Sequence, residues 1–543
     1  MRTTDPHRIA DLTAQGRWGH KTLHGLLAVN ARVRPNSLAV KDQPNRAELT
    51  DQSAGALSWV ELNRASDHLA RSLQAAGIRA DDRIIIQLPN IVELVVVYYA
   101  LSKMGAIASP VPIQYGAYEL QSVRKALGAT AMISLSRFRQ SELALNARAA
   151  LNGLPVLAFG EELNLDTTEA KAFVPEVEDD PNRVVTICWT SGTTGTPKGV
   201  PRSHNMWLAT AGCTADAGKY RAGDALLCPF AVINMSALGG FVFPAALRGC
   251  AVILHHPMDP PLFLQQMQDE RINFAIAPPA LFNQLAKSPE RWKEFDFSAL
   301  RAVGSGSAPL SPWMIKAFDS EFGVDVVNIY GSNEGIALYS TPEAAPDPEI
   351  RAVMFPRPEV GDVLRSKVAD PESGLVITAK GGRGELLVSG ATVFDGYFEH
   401  DNNDVFDADG YFRTGDLVEI CGEAGGFYKI VGRCKDIINR GGMKISPVEL
   451  DVALEAHRDI AEAAVCAFPD ERLGEKMCAC LVMSPGKEVL TMDALQTYLL
   501  GLGLAKFKLP ERIEAIDELP RNPLGKVQRF VLEAMIRKMP VQE

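Results

Sequence analysis

Between residues 55 and 430, short apolar runs alternate with stretches of helical periodicity, and that alternation leaves few folds open. Residues 83–90, RIIIQLPN, read as a strand and turn, and residues 90–105, NIVELVVVYYALSKMG, as a buried helix. The pair recurs at 251–256, AVILHH, followed by PPLFLQQMQDERI, again at NFAIAPP and ALFNQLAK, and at 324–331, VDVVNIYG. Strand, helix, strand at this spacing predicts parallel sheets covered by helices. Over 384–432 the texture changes to GELLVSG, GYFRTGDLVEI and GGFYKIVG, strands set close together by glycine turns. A charged segment, RCKDIINRGGMK, follows Gly432, and then a helical pattern, SPVELDVALEAH. The expected class is α/β. A large N-terminal domain, 1–432, would hold parallel sheets covered by helices plus a small β-barrel-like part. A smaller α+β C-terminal domain, 433–543, would begin at the charged step from Arg433 to Lys435.

The apolar share, 47%, and the charged share, 22%, are ordinary for a globular protein. The net charge of −11 argues against a nucleic-acid partner, which would call for a basic face. No apolar stretch reaches the roughly 20 residues that a bilayer-spanning helix needs. The first residues, MRTTDPHRIADLTAQGRWGH, contain no apolar signal core, so a cytoplasmic protein is expected. Its nine cysteines have no paired spacing; Cys478 and Cys480 are close but have no second pair to complete a zinc site. Reduced thiols are the expectation.

One stretch cannot be core. Behind the apolar run Val184-Val185-Thr186-Ile187-Cys188-Trp189 comes TSGTTGTPKGV. Small hydroxyl residues and glycines bury little apolar area, but they can aim backbone N–H groups and hydroxyls at a single anion. This is not the Walker A loop, because Pro197 precedes Lys198 and Gly199 follows it. Ser191, Thr193, Thr194 and Thr196 with the Lys198 charge nevertheless suit a phosphate. Four weaker segments follow. GSGSAPLSP (304–312) lacks the third glycine of a dinucleotide fingerprint and is equally a strand-to-helix turn. NIYGSNEG (328–335) offers Tyr330 and Gly331 for a planar ligand and Glu334 as an oxygen for Mg²⁺. YFRTGDL places Asp416 after a glycine turn, where a carboxylate can accept two ribose hydroxyls. LPRNPLGKVQR (519–529) presents Lys526, in isolation an ordinary solvent-facing lysine.

In order and spacing these segments resemble the adenylate-forming superfamily of acyl- and aryl-CoA synthetases, stand-alone aryl-acid adenylating enzymes and luciferase. The resemblance runs from SWVELNRASDHLARSLQAAGI to NPLGKV, and TSGTTGTPKGV, YFRTGDL and GRCKDIINRGGMKISPVELD carry most of it. GRCKDIINRGGMKISPVELD looks closest to aryl-acid and short-acyl ligases. The resemblance implies ATP, Mg²⁺ and CoA as cofactors and a carboxylic acid as substrate. Ser191, Thr193, Thr194 and Lys198 would grip the β- and γ-phosphates. Gly306, Ser307 and Ala308 would line an adenine stacked on Tyr330, and Asp416 with Arg433 would hold the ribose. Glu334 would organise Mg²⁺, and Lys526 would bridge the acid and the α-phosphate. Lys435 would be the hinge of a mobile C-terminal cap, with Gly441 and Gly442 bordering the thiol tunnel.

Two departures matter. The family's threonine before the catalytic glutamate is Asn333 here. In PFAVINMSALGG (229–240), relatives often have an aromatic residue or histidine where this chain has Val232, and hydroxybenzoate readers have asparagine where it has Ile233. Losing those polar groups argues against a hydroxylated benzoate. A pocket of Val232, Ile233, Asn234, Met235 and Trp207 fits an unsubstituted aromatic, alicyclic or medium acyl acid; the alternative is that these side chains are core beneath a pocket built elsewhere. The leading expectation is a carboxylate–CoA ligase, with Arg440 and Lys444 as candidate contacts for the CoA phosphates. The rival delivers the acyl group to a carrier-protein phosphopantetheine. A non-catalytic nucleotide-binding protein is disfavoured because Lys526, Glu334 and Asp416 are all present.

Overall fold

The structure is a computed structural model that describes residues 1–190, 197–306, 310–359, 361–521 and 526–539. By compactness the chain forms two units: Met1–Arg365 with Val388–Phe412, and Ser366–Leu387 with Arg413–Glu543. The expected boundary at Arg433–Lys435 lies inside the second unit.

The first unit holds two sheets. One runs in the order Ala337–Ser340, Asp325–Gly331, Ala302–Gly306, Phe274–Ile276, Ala225–Cys228, Ala251–Leu254, Leu38–Lys41, Ala56–Ser58. Its interior pairings are parallel and its two edge strands are antiparallel. The other runs Val156–Phe159, Ala131–Leu135, Arg83–Gln87, Ile107–Pro110, Val184–Thr190, Lys198–Ser203, with only the last pairing antiparallel. Parallel sheets need cover on both faces, which is why their strands read as unbroken apolar runs. Ile84, Ile85 and Ile86 are fully buried. Helix Val92–Met104 is buried on every side and belongs to the large core cluster shared by both sheets. Its two charged side chains are ion-paired: Glu93 with Arg46 at 2.6 Å and Lys103 with Asp67 at 2.7 Å. Helix Trp59–Ala75 starts where its sequence says it should, with Ser58 and Glu61 closing a reciprocal cap.

The second unit holds a sheet ordered Phe427–Arg433, Phe412–Cys421, Arg383–Gly390, Leu364–Ala369, Val376–Ile377, some of whose strands run in from the first unit. The antiparallel pairing of Phe412–Cys421 with Phe427–Arg433 matches the expected change of texture. A second sheet is built on the long hairpin Ile460–Asp470 and Gly474–Met483, flanked by helices Pro447–Glu455 and Arg529–Ile536. All nine cysteines are free thiols. Among the described residues, no helix is long and apolar enough to cross a membrane.

Ligand sites in parallel sheets form beyond the carboxyl ends of the strands. Ala302–Gly306 and Asp325–Gly331 end side by side there, and a Cβ on Gly306 would stand 2.0 Å from the Ile329 carbonyl oxygen. Only glycine permits that approach. Gly306→Ala is expected to lower stability by about 2–3 kcal/mol, as overpacking does, and a urea midpoint indistinguishable from wild type would contradict it.

Candidate functional site

In the first unit the site grows from the ends of both sheets. Strand Val184–Thr190 pairs antiparallel with Lys198–Ser203, Thr190 opposite Lys198. The glycine-hydroxyl segment lies between these two strands in the sequence. Ser191, Thr193 and Thr194 lie outside the described residues, as do Ser307 and Ala308 in the second segment. Lys198 is described. Its Nζ sits 4.7 Å from the ring centroid of Tyr397, a cation over an aromatic face.

The Tyr397 hydroxyl donates to Glu334 Oε1 at 2.9 Å. Glu334 is nearly buried, and its Oε2 has no hydrogen-bond partner among the described residues. The segment carrying Tyr397 is stitched to both loops. Thr392 Oγ1 donates to the Gly335 carbonyl at 2.7 Å and Phe394 N–H to the Glu334 carbonyl at 2.9 Å. Phe398 N–H donates to the Gly199 carbonyl at 2.9 Å. No group of three or more His, Cys, Asp or Glu side chains able to hold a metal occurs among the described residues. A single hard carboxylate oxygen with room for a partner nevertheless fits Mg²⁺, which is usually bound by one or two carboxylates plus substrate phosphates and water.

Asn333 ties three segments together. Its Oδ1 accepts from Met235 N–H at 2.8 Å, and its Nδ2 donates to the Trp189 carbonyl at 3.2 Å. One amide thus joins the strand end that launches the anion loop, the Glu334 turn and the start of the 235–237 helix. A threonine here has one hydroxyl for both tasks. Asn90 reaches the same region: its Nδ2 donates to the Phe230 carbonyl at 2.8 Å and its Oδ1 accepts from Val232 N–H at 2.9 Å. Tyr98 OH donates to the Val232 carbonyl at 2.6 Å. Asn234 caps the short helix through Ser236 N–H. Met235 and Asn234 are half-buried, whereas Val232 and Ile233 are buried. Trp207, expected at the pocket wall, sits in the core. One face lies 4.1 Å from the Arg202 guanidinium, its ring stacks on Phe243 at 5.3 Å, and its Nε1 donates to Thr186 Oγ1 at 2.8 Å.

Arg202 is fully buried and ion-pairs with no carboxylate among the described residues. It donates to the Met206 carbonyl at 3.0 Å, to Thr210 Oγ1 at 2.8 Å and to the Thr392 carbonyl at 2.8 Å. Burial pulls its pKa down to about 9, partly opposed by the nearby Glu334 charge. Tyr330 is half-buried, 5.7 Å from Phe355. It pairs across the edge with Leu338, and Gly331 follows it with its surface open.

In the second unit, Asp416 and Arg433 are cross-strand partners, and Arg433 Nε lies 2.8 Å from Asp416 Oδ1. Asp416 is mostly enclosed and Arg433 half exposed. Their turn is held by Glu385, which accepts from Gly415 N–H at 3.0 Å and pairs with Arg413 at 3.0 Å. Lys435 lies in the turn between Phe427–Arg433 and Ile438–Arg440. Gly441 and Gly442 form the two-residue turn of the next hairpin, with φ of +57° and +86°. Two positive φ angles in succession are the signature of a type I′ turn and favour glycine at both. Arg440 is paired with Glu511 at 2.5 Å, and the Lys444 side chain lies outside the described residues. Lys526 is exposed next to the bridge between Arg521 and Val527.

Sequence reasoning missed Tyr397, Arg202, Asn90 and Glu385. None of the four stands in a local pattern that marks it.

The AMP-binding enzyme family matches residues 34–398, and the AMP-binding enzyme C-terminal domain matches residues 449–526. Triostin synthetase I of Streptomyces triostinicus is 32% identical over 98% of this chain and 97% of its own length. A salicyl-AMP ligase / salicyl-S-ArCP synthetase of Mycobacterium tuberculosis is 29% identical over 98% and 94%. A medium-chain fatty-acid–CoA ligase of Escherichia coli is 28% identical over 100% and 95%. Among solved structures, ATP-bound MatB from Rhodopseudomonas palustris superposes with a TM-score of 0.81 at 26% identity, covering 95% of this chain and 99% of its own.

Asn333→Ala leaves a buried N–H and a buried carbonyl without their partner. The expected cost is about 1–3 kcal/mol of stability. Chemical denaturation of the two proteins checks it, and equal midpoints would show that water replaces the amide at no cost.

Proposed function

Because the chain belongs to the AMP-binding enzyme family, the adenylate-forming acid ligases, we propose that it is an ATP-dependent carboxylate–CoA ligase. It converts a carboxylic acid and ATP to acyl-AMP and pyrophosphate, then passes the acyl group to the CoA thiol with release of AMP. The observation that carries the first step is the cluster of Lys198, Tyr397 and Glu334 around the hairpin that bears the glycine-hydroxyl loop. It sets a cation and a carboxylate of opposite duties beside one anion loop.

The chemistry needs no general base. A carboxylic acid with a pKa near 4 is already ionised at neutral pH. The obstacle is repulsion between that anion and the triphosphate. Lys198 and the loop 191–196 take the β- and γ-phosphates and stabilise departing pyrophosphate, Asp416 with Arg433 takes the ribose, and Tyr330 with 306–308 takes the adenine. Lys526 neutralises charge between carboxylate and α-phosphate as the oxygen–phosphorus bond forms. Glu334 would hold Mg²⁺, which would supply Lewis-acid neutralisation of the polyphosphate. Thiol attack on the acyl carbon then expels AMP, in a site from which a cap must exclude water. The exposed turn at Gly441 and Gly442 serves that second step, and Lys435 is the hinge between the two tasks.

The acid pocket is assigned to the 232–235 segment. Asn90, Tyr98 and Asn333 occupy its backbone groups, and its side chains Val232, Ile233 and Met235 are apolar. That supports an unsubstituted aromatic, alicyclic or medium acyl acid. A second reading is favoured by the relative that carries a salicyl-S-ArCP synthetase name: delivery to a carrier-protein phosphopantetheine, which presents the same thiol arm. A cytoplasmic location follows from either reading.

Pyrophosphate release with ATP and Mg²⁺ over a panel of acids, followed by thioester formation with free CoA, tests the proposal. Benzoate-like, alicyclic or medium-chain acids are expected to turn over, and salicylate to react at least tenfold less efficiently. Adenylation without any CoA thioester would transfer the assignment to a carrier protein. Lys526→Ala is expected to lose acyl-AMP formation by about a hundredfold or more, the scale of removing one transition-state charge partner. Thioester formation from supplied acyl-AMP should be retained, and equal loss of both half-reactions would refute the role.

A further inference from the structure

Lys198 and Glu334 stand on two sides of one side chain. The ammonium of Lys198 lies over the Tyr397 ring at 4.7 Å, and the Tyr397 hydroxyl donates to Glu334 Oε1 at 2.9 Å. Lys198 and Glu334 make no ion pair with each other among the described residues. Opposite charges placed this close to one ligand would ordinarily pair, and a Lys–Glu contact would spend both on each other. The ring takes the cation by its face and the hydroxyl takes the anion at its edge, so each charge is partnered without being neutralised.

Tyr397 is also fixed in place. Its chain is registered to both loops by Phe398 N–H on the Gly199 carbonyl and Phe394 N–H on the Glu334 carbonyl, each at 2.9 Å. Its ring packs edge-on against Phe394 at 4.9 Å. The hydroxyl holds one carboxylate oxygen and leaves Oε2 for another partner, as a donor behind a metal ligand does.

We propose that Tyr397 is a positioning residue of the adenylation site that separates Lys198 from Glu334 and orients each toward the ligand charge opposite to its own. This rests on the reading of Glu334 as the metal-binding carboxylate and Lys198 as a phosphate contact. Tyr397 itself touches neither metal nor phosphate; it acts through the two groups it holds. Its hydroxyl serves the carboxylate and its ring serves the lysine, so the two functions separate by substitution.

The test uses the full chain and Mn²⁺ as the probe, read by electron paramagnetic resonance with a non-hydrolysable ATP analogue present. Binding of the analogue without metal is measured by calorimetry. Tyr397→Phe keeps the ring and removes only the hydroxyl. It is expected to weaken Mn²⁺ binding roughly tenfold, the low end for loss of a group behind a metal ligand, while metal-free analogue binding stays within about twofold of wild type. In turnover, the Mg²⁺ concentration for half-maximal rate should rise and the KM for ATP at saturating Mg²⁺ should hold. Tyr397→Leu removes both functions and is expected to weaken metal-free analogue binding as well. Should the leucine variant not fold, the phenylalanine variant decides alone. Wild-type Mn²⁺ affinity in Tyr397→Phe overturns the proposal if Glu334→Gln has lost that affinity. If Glu334→Gln also binds Mn²⁺ as wild type does, the reading of Glu334 is what has failed, and the positioning role falls with it.

Discussion

The thirteen residues of helix Val92–Met104 have no face to show to water, and the first unit is arranged around them. A helix apolar on all sides must be enclosed on all sides. This one packs against Ile107–Pro110 of one sheet and Leu38–Lys41 of the other, in a core that draws on both. Its enclosure fixes the two sheets against each other. The residues leading into it and projecting from it, Asn90 and Tyr98, then reach the segment after Ala225–Cys228 and pin its backbone. The backbone of the 230–232 segment is therefore held by the element that makes the core.

The second constraint is charge. The first unit places Arg202 in the interior with only neutral acceptors, Lys198 over the Tyr397 ring and Glu334 nearly buried. An unpaired buried charge is expensive, and pairing it away would disarm the site. Arg202 is accommodated by carbonyls, a hydroxyl and the Trp207 face; Lys198 and Glu334 are accommodated by the face and hydroxyl of Tyr397. In the second unit the solution is direct, because Asp416 and Arg433 sit opposite each other on paired strands and form an ion pair. Both arrangements keep polar groups solvated by protein.

Much of this was legible in the linear chain. Alternating apolar runs predicted parallel sheets, and they formed where the runs lie, because a strand buried on both faces has to be apolar at every position. The reciprocal cap of Ser58 and Glu61 is equally local, since its hydrogen bonds close within four residues. Gly441 and Gly442, singled out only through the family resemblance, form a turn with positive φ twice. Lys198 could be singled out from its own glycine-hydroxyl segment, whereas Glu334, Asp416, Lys526 and Asn333 stood out only when the segments were taken together as a family resemblance.

What the sequence by itself determined were the elements and the local chemistry, interactions that close over a few residues and so are written in neighbouring letters. The tertiary structure alone decided which of those letters meet. Tyr397 lies 199 residues from Lys198 and 63 from Glu334 in the chain, and nothing local to any of the three marks their convergence. It likewise decided that Trp207 faces a buried guanidinium, that Asn333 bridges Trp189 to Met235, and that the chain's second unit takes in residues 366–387 from the middle of the sequence. Those outcomes depend on how sheets stack and strand ends align, and packing of that kind is set by the whole core rather than by any segment of it.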